Sequence, residues 1–257
     1  MKRNLRLVRV AWTLNVKQLT RSSFDGLLAI LWPLFFATVA FFMFRSGCDP
    51  DALIYAALGS AVMGIWTATS VSAGSALQRE RWHGTLELLV AAPVHFSLVL
   101  LPLAFATSAI GIYCMVTTLL WGRFVFGIDV PLEHPLFMAA AIPATILSIG
   151  ALGFLMGVSF ARYRTSWALG AMSEYPVWLL CGFLVPISLL PGWAHPISWV
   201  LAPTWGMRAI RESSTGGTPL PDIGMCFLLG AIYVGVGVLV TETVLRAARR
   251  SASLSLT

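Results

Sequence analysis

Charged residues are scarce in this chain: Asp, Glu, Lys and Arg make up 11% of its 257 residues, against roughly 25% in an ordinary soluble domain. Hydrophobic residues make up 58%, and the mean hydropathy is +0.81. A membrane helix needs about 20 apolar residues. Stretches without Asp, Glu, Lys or Arg that approach or exceed this length cover 26–44, 52–78, 88–122 and 134–161. A soluble domain of this length could not bury so many helices that are apolar on all sides. The chain is therefore predicted to be an all-α integral membrane protein.

Lysine is almost absent, since Lys2 and Lys17 are the only two. A phosphate-binding P-loop requires G-x-x-x-x-G-K followed by Ser or Thr, and neither lysine lies in such a motif. The chain is predicted to contain no ATP or magnesium site of its own.

Metal-binding and disulfide patterns are also lacking. None of the four cysteines forms a CxxC pair, and Cys114, Cys181 and Cys226 lie in apolar stretches, with Cys48 in a predicted loop. The four histidines show no i, i+4 pairing. The cysteines are interpreted as small packing residues, and no metal site is predicted.

The net charge of +6 does not indicate nucleic-acid binding, because the basic residues lie at the ends of apolar stretches. Six spans are predicted, at Phe24–Phe44, Ala52–Leu77, Ser97–Gly122, Leu136–Phe160, Ser166–Leu189 and Ile223–Thr241. With both termini on one side, thirteen basic residues lie on that side and four (Arg45, Arg123, Arg208 and Arg211) lie on the other. This positive-inside bias predicts a multi-pass protein with both termini in the cytoplasm.

Two segments between or before the spans have their own patterns. Residues 1–23 place Leu5, Val8 and Trp12 three or four apart among basic residues, which predicts an amphipathic interfacial helix. Between Glu174 and Arg208 lie 33 residues without a formal charge, too many for one crossing and too few for two with a turn. This stretch contains Pro186, Pro191, Pro196 and Pro203. It predicts a re-entrant outer-leaflet hairpin at residues 191–211, followed by an external loop at Ser213–Asp222.

The inner loop between spans two and three, residues 78–97, combines charge with a short helical pattern. Gly84 can end the preceding helix, Thr85 can cap a new one, and Leu86 and Leu89 can give it an apolar face before Pro93. A helix this short requires a partner surface. From the residues alone, that surface is either another protein or the lipid headgroups.

A family resemblance bears on this choice. Glu80, Gly84, Thr85, Glu87, Leu88 and Pro93 are spaced as E-x-x-x-G-T-x-E-L-x-x-x-x-P. With these residues the loop resembles that of type-2 permeases of ATP-binding-cassette exporters. The Pro-rich and Trp-rich stretch at residues 186–213 is similar to the family's segment after the fifth span. The resemblance covers essentially the whole chain, as a single permease domain over residues 1–257.

The resemblance implies an exporter subunit in a bacterial plasma membrane. Its implied partners are a second permease, identical or paralogous, and ATPase subunits that bind ATP and magnesium. The residues implied to contact the ATPase are Glu80, Gly84, Thr85, Leu86, Glu87, Leu89 and Pro93. The expected cargo is hydrophobic or amphipathic: a drug, antibiotic, lipid or glycan.

Within the membrane, Glu174 is the one carboxylate well inside a predicted span, and an ionisable group there is a functional candidate. The alternative is an ion pair with Arg162 or Arg164 at the helix end. Trp178 and Phe183 are candidates for lining an apolar substrate pathway beside it, although such aromatics often only pack. An ion-coupled secondary transporter would require several membrane-embedded acids or paired repeats. An intramembrane enzyme would require a pair of catalytic residues within the membrane. Both alternatives are therefore ranked below the exporter.

Overall fold

The structure is a computed structural model that describes residues 12–13, 23–45, 50–82, 97–160 and 166–251. Within these ranges every regular element is helical, as the predicted all-α class requires. The predicted amphipathic helix at residues 1–23 lies almost wholly outside the described ranges and stays a prediction. In chain order the helices are α1 (Ser23–Arg45), α2 (Pro50–Trp82), α3 (Ser97–Phe126), α4 (Pro135–Phe160), α5 (Ser166–Met172), α6 (Glu174–Leu180), a 3-10 turn (Ile187–Leu189), α7 (Ala194–Val200), α8 (Ala202–Thr215) and α9 (Leu220–Ser251).

Among the described residues, four helices are long and apolar enough to cross a membrane, through the segments Asp51–Ser70, Leu100–Phe126, Pro135–Phe160 and Leu220–Thr243. They lie in α2, α3, α4 and α9 and correspond to the predicted second, third, fourth and sixth spans. α1 corresponds to the first and carries a shorter apolar segment, Leu34–Phe44. The fold is that of a multi-pass membrane protein.

Helix α2 lies at the centre of the bundle, where it packs against α1, α3, α4 and α5. Ile65 and Trp66 of α2 are fully buried and share one apolar cluster with Ile149 of α4. In lipid, such helices associate through close van der Waals packing because the surrounding chains are equally apolar. The contacts with α2 therefore fix the positions of these helices relative to one another.

Glycines allow several of these helices to approach closely. A methyl group built on Gly153 of α4 would lie 2.5 Å from Cγ2 of Thr69 on α2. A methyl on Gly206 of α8 would lie 2.5 Å from Cγ2 of Thr145 on α4. Small residues at these contacts bring backbones together, as is typical of membrane helix pairs.

The prediction of one continuous fifth span at Ser166–Leu189 is wrong. The helix is interrupted at Ser173 between α5 and α6, and α6 ends at Leu180. The chain then turns at Gly182, whose φ of +74° is accessible to glycine without the steric cost other residues incur. The turn explains why helix does not continue towards Pro186.

The segment after this turn contains two short helices. α7 and α8 occupy most of residues 191–211, where the re-entrant hairpin was predicted, and they meet at Leu201. Their depth in a membrane stays a prediction. The predicted loop at Ser213–Asp222 is wrong in extent, because α8 continues to Thr215 and α9 begins at Leu220. Gly216, at φ +84°, ends α8 in a left-handed cap and leaves only residues 216–219 as the connection.

Candidate functional site

The residues predicted to contact an ATPase fall mostly outside the described ranges. Glu80 lies in the last turns of α2, whereas Gly84, Thr85, Leu86, Glu87, Leu89 and Pro93 all lie in the undescribed stretch 83–96. α2 itself has 33 residues, so it is about 50 Å long at 1.5 Å per residue. It continues past Leu77, the predicted end of the second span. One uninterrupted helix therefore leads from the start of this loop through the centre of the bundle.

Glu174 begins α6 and is only 6% exposed. The hydroxyl of Thr67, on α2, donates a hydrogen bond of 2.5 Å to Oε1 of Glu174. A hydrogen bond to a buried carboxylate stabilises it, because an unpaired charge or polar atom in an apolar surrounding is costly. The contact ties the broken fifth segment to the central helix. Arg162 and Arg164, the alternative partners considered for Glu174, lie outside the described residues.

Trp178 lies one turn after Glu174 on the same short helix and is also buried. Its ring meets Phe36 of α1 edge to face, with centroids 5.0 Å apart, and meets Tyr175 at 5.2 Å. Among the residues that the structure describes, its indole N–H has no hydrogen-bond acceptor. Glu174 and Trp178 are thus brought together with groups from α1 and α2.

Phe183 is placed differently from the other two predicted pathway residues. It follows the Gly182 turn and is fully buried. Gly59 of α2 lies against its backbone, since a methyl group at position 59 would lie 1.8 Å from the Phe183 carbonyl oxygen. In this conformation Phe183 packs in the core beside α2, and a role in lining a pathway stays a prediction.

Tyr55, which sequence reasoning missed, holds the same turn. The hydroxyl of Tyr55, on α2, donates a hydrogen bond to the carbonyl oxygen of Gly182. The guanidinium of Arg211, on α8, lies over the Tyr55 ring at 4.5 Å from its centroid, in cation–π geometry. Neither Thr67 nor Tyr55 belongs to a sequence motif. The one sequence feature that could have indicated them is a hydroxyl group within an apolar span.

A second polar group, also missed, lies at the opposite end of the bundle from Trp82. Asp222, in the first turn of α9, is buried and lies 3.5 Å from Arg208 of α8, measured from Oδ1 to Nη2. Arg208 also pairs with Glu212 at 3.8 Å, an i, i+4 spacing visible in the sequence. These contacts fasten the α8–α9 connection.

Long apolar helices, an interrupted fifth segment and a buried carboxylate held by a neighbouring helix define a multi-pass helical membrane protein with a polar contact inside its bundle. The sequence profile of the family described as ABC-2 type transporter matches residues 6–214. The chain belongs to this family. It is therefore a permease component of an ABC transporter, with no ATPase site of its own, and it works with an ABC ATPase partner. No curated protein sequence matches the chain.

Proposed function

We propose that this chain is the membrane-spanning subunit of an exporter that moves a hydrophobic or amphipathic molecule out of the cytoplasm. ATP and magnesium are bound by the partner ATPase, and the bilayer in question is a bacterial plasma membrane. The chain crosses it six times with both termini in the cytoplasm. The basic residues support this orientation, since thirteen lie in the segments predicted to be cytoplasmic and four in the segments predicted to be external.

The observation that carries the proposal is the continuity of α2. At its Trp82 end it leads into the loop with the family-like pattern, and near its middle it carries Thr67, which holds Glu174. Glu80 lies thirteen positions after Thr67, or about 20 Å along the helix. A rigid helix transmits a displacement of the loop to the broken fifth segment without an intervening joint.

The substrate pathway is proposed to run beside α6. Glu174, Trp178 and, after a rearrangement, Phe183 would contact the cargo. The short helices α5 and α6 support this, because substrate sites of transporters are typically formed by discontinuous membrane helices. The unpaired indole N–H of Trp178 offers a donor to a cargo oxygen.

A second permease is proposed to face this segment. Met172, Tyr175 and Leu179 are exposed on α5 and α6, directly beside the buried Glu174. A second copy, or a paralogous chain, against this face would cover the exposed side chains beside the proposed pathway.

The segment 191–211 is proposed to enter and leave the membrane from the outer side. In support, the Ser198 hydroxyl of α7 donates a 2.5 Å hydrogen bond to the Leu180 carbonyl, at the end of α6. Backbone at membrane depth must be satisfied by protein groups in this way.

The proposal is tested with inside-out vesicles containing this chain and its ABC ATPase partner. A panel of hydrophobic dyes, drugs and fluorescent lipids is screened for uptake. ATP-dependent uptake that requires both chains, and is lost when the ATPase P-loop lysine is replaced, supports export. Uptake driven by an ion gradient without ATP would contradict it and favour a secondary transporter.

A further inference from the structure

An apolar cavity of about 350 Å³ lies between α2, α3 and α4, closed on one side by the loop at residues 127–134 and by α8. Its deepest wall is formed by buried side chains, including Leu58 and Val62 of α2 and Ile210 of α8. Every lining residue is apolar except Arg123. The volume falls within the range of small-molecule sites, roughly 300–1,000 Å³. None of Glu174, Trp178 and Phe183 lines it, so the cavity is separate from the proposed substrate pathway.

The cavity opens on the lipid-facing side of α3. Val116 and Leu120 of α3 and Leu132 of the loop line it and are themselves exposed. Val116 and Leu120 lie in the second half of the apolar segment Leu100–Phe126, which is long enough to cross the membrane, and Leu132 lies just beyond its end. At that depth the medium beside the opening is hydrocarbon close to the headgroups, not water.

An empty apolar cavity in this position is unfavourable. The side chains that line a void lose the dispersion contacts they would make with a neighbour, and apolar cavities do not hold water well because it finds no polar partners there. Acyl chains are the apolar groups available beside the opening. A single lipid tail can enter sideways and supply the missing contacts.

Arg123 places a positive charge at the edge of the cavity. It lies in the last turn of α3 and pairs with Asp129 at 3.6 Å, with the two side chains 69% and 82% exposed. An exposed pair of this kind contributes little stability. The guanidinium has five N–H donors in a planar fork that suits phosphate oxygens. Donors therefore remain for a phosphate at the level where lipid headgroups begin.

We propose that this cavity binds one acyl chain of a glycerophospholipid from the leaflet at the Arg123 end of the bundle, with the lipid phosphate held by Arg123. This assignment does not depend on the identity of the exported cargo. A bound lipid would fill the space between α2, α3 and α4 and so contribute to the packing of the central helix.

The test uses the full chain with its ATPase in vesicles of phosphatidylethanolamine and phosphatidylglycerol that contain a phosphatidylglycerol with a diazirine in its acyl chain. After photolysis, labelled residues are identified by peptide mass spectrometry. We expect label on Val116, Leu119 and Leu120 well above that on Tyr113 and Phe124, which are exposed on the same helix but do not line the cavity.

Two substitutions and a matched control separate a site from general lipid contact. Leu120→Trp, at the half-exposed opening, should lower labelling of the remaining cavity residues about fivefold, the change that roughly 1 kcal/mol of lost affinity produces. Phe124→Trp introduces the same ring one residue beyond Arg123, at a position that is 80% exposed, and should change nothing. Both positions face outwards, so both variants should fold.

The phosphate contact is tested with a second probe. Arg123→Gln should lower cavity labelling by the phosphatidylglycerol probe and leave labelling by a diazirine diacylglycerol, which lacks phosphate, unchanged. Equal labelling along all exposed faces of α3 that Leu120→Trp does not alter would show annular lipid only and overturn the proposal. Absence of label at the cavity, with disulfide cross-linking between two copies carrying Leu120→Cys, would assign the face to a protein interface and overturn it equally.

Discussion

The hydroxyl of Thr67 donates a 2.5 Å hydrogen bond to the carboxylate of Glu174, and this contact joins the uninterrupted α2 to the interrupted fifth segment. Thr67 lies on the helix that leads to the loop predicted to lie in the cytoplasm and contact the ATPase. Glu174 begins the short helix that carries Trp178. The pair is therefore the place where a movement of α2 would first reach the proposed pathway.

Removing the donor should weaken this junction. Thr67→Val keeps the shape of the side chain but leaves the carboxyl group of Glu174 without its partner, at a cost of about 1–3 kcal/mol. We expect a lower melting temperature of the purified complex and slower transport, both measured beside the parent. Thr67→Ser retains the hydroxyl and should restore most of both. Equal behaviour of the Val and Ser variants would show that the bond is not needed.

Changing the acceptor should affect transport without affecting assembly. Glu174→Gln retains a carbonyl oxygen for the Thr67 hydroxyl but removes the ionisable carboxyl group. We expect normal recovery of the complex and normal basal ATP turnover, with an altered rate or substrate range of export. Glu133→Gln, the same change in the exposed loop after α3, serves as the control. Parental export by Glu174→Gln for every cargo tested would remove this residue from the pathway.

Disturbing the cytoplasmic loop should uncouple the two subunits. Gly84→Pro restricts the backbone at the proposed start of the loop helix, and Glu87→Lys reverses a charge expected to face the ATPase. Both variants should insert and assemble as permeases but lose export together with ATPase binding or cargo-stimulated hydrolysis. Complex recovery, ATP turnover and export are measured in parallel. Glu133→Lys is a matched charge reversal at the other end of the bundle and should be tolerated.

If Gly84→Pro and Glu87→Lys both export at the parental rate, the loop helix only rests on lipid. That result would leave the family assignment intact and remove the proposed coupling role of Glu80, Thr85, Leu86, Leu89 and Pro93 as well.

The orientation can be tested by labelling. In a background without the four native cysteines, Thr215→Cys should react with a membrane-impermeant reagent added outside intact cells, because residue 215 is exposed at the end of α8. Gly84→Cys should react only after the membrane is opened. The reverse pattern would place the termini outside.

A methyl group at position 59 should be poorly tolerated. Gly59→Ala would place a carbon 1.8 Å from the Phe183 carbonyl oxygen, so α2 or the turn at Gly182 would have to shift. Overpacking of this kind costs about 1–3 kcal/mol or more. We expect reduced yield and a lower melting temperature in fluorescence-detected size-exclusion chromatography. Gly235→Ala, on α9 with open space around it, should be neutral or slightly stabilising because Ala favours helix over Gly.

Much of the architecture was predictable because a membrane span can be recognised from the composition of its own stretch of sequence. The second, third, fourth and sixth spans needed only length and the absence of charge. The fifth did not follow this rule, since its course is set by Gly182 at positive φ and by the contact of Gly59 with Phe183, which depend on a neighbouring helix. The composition of such a stretch shows that it is apolar but does not predict where the chain turns.

The candidate site was predictable in part for a similar reason. A carboxylate in an apolar stretch identifies Glu174 by its rarity. Thr67 could not be identified, because Ser and Thr hydroxyl groups in helices often bond within their own helix, as Ser60 does to the Ala56 carbonyl. Tyr55 could not be identified either, because the sequence does not show which group its ring reaches. Which hydroxyl instead reaches another helix depends on rotation and register, and these are fixed only when the bundle is assembled.

The close glycine contacts also constrain how related chains can diverge. Gly153 faces the side chain of Thr69, and Gly206 faces that of Thr145, so a larger residue on one helix can be offset by a smaller one on the other. These two pairs should therefore covary in an alignment of homologues. Gly59 faces a carbonyl oxygen of the backbone, which no substitution can remove. Position 59 should stay glycine in every relative that keeps this turn, with no compensating change elsewhere.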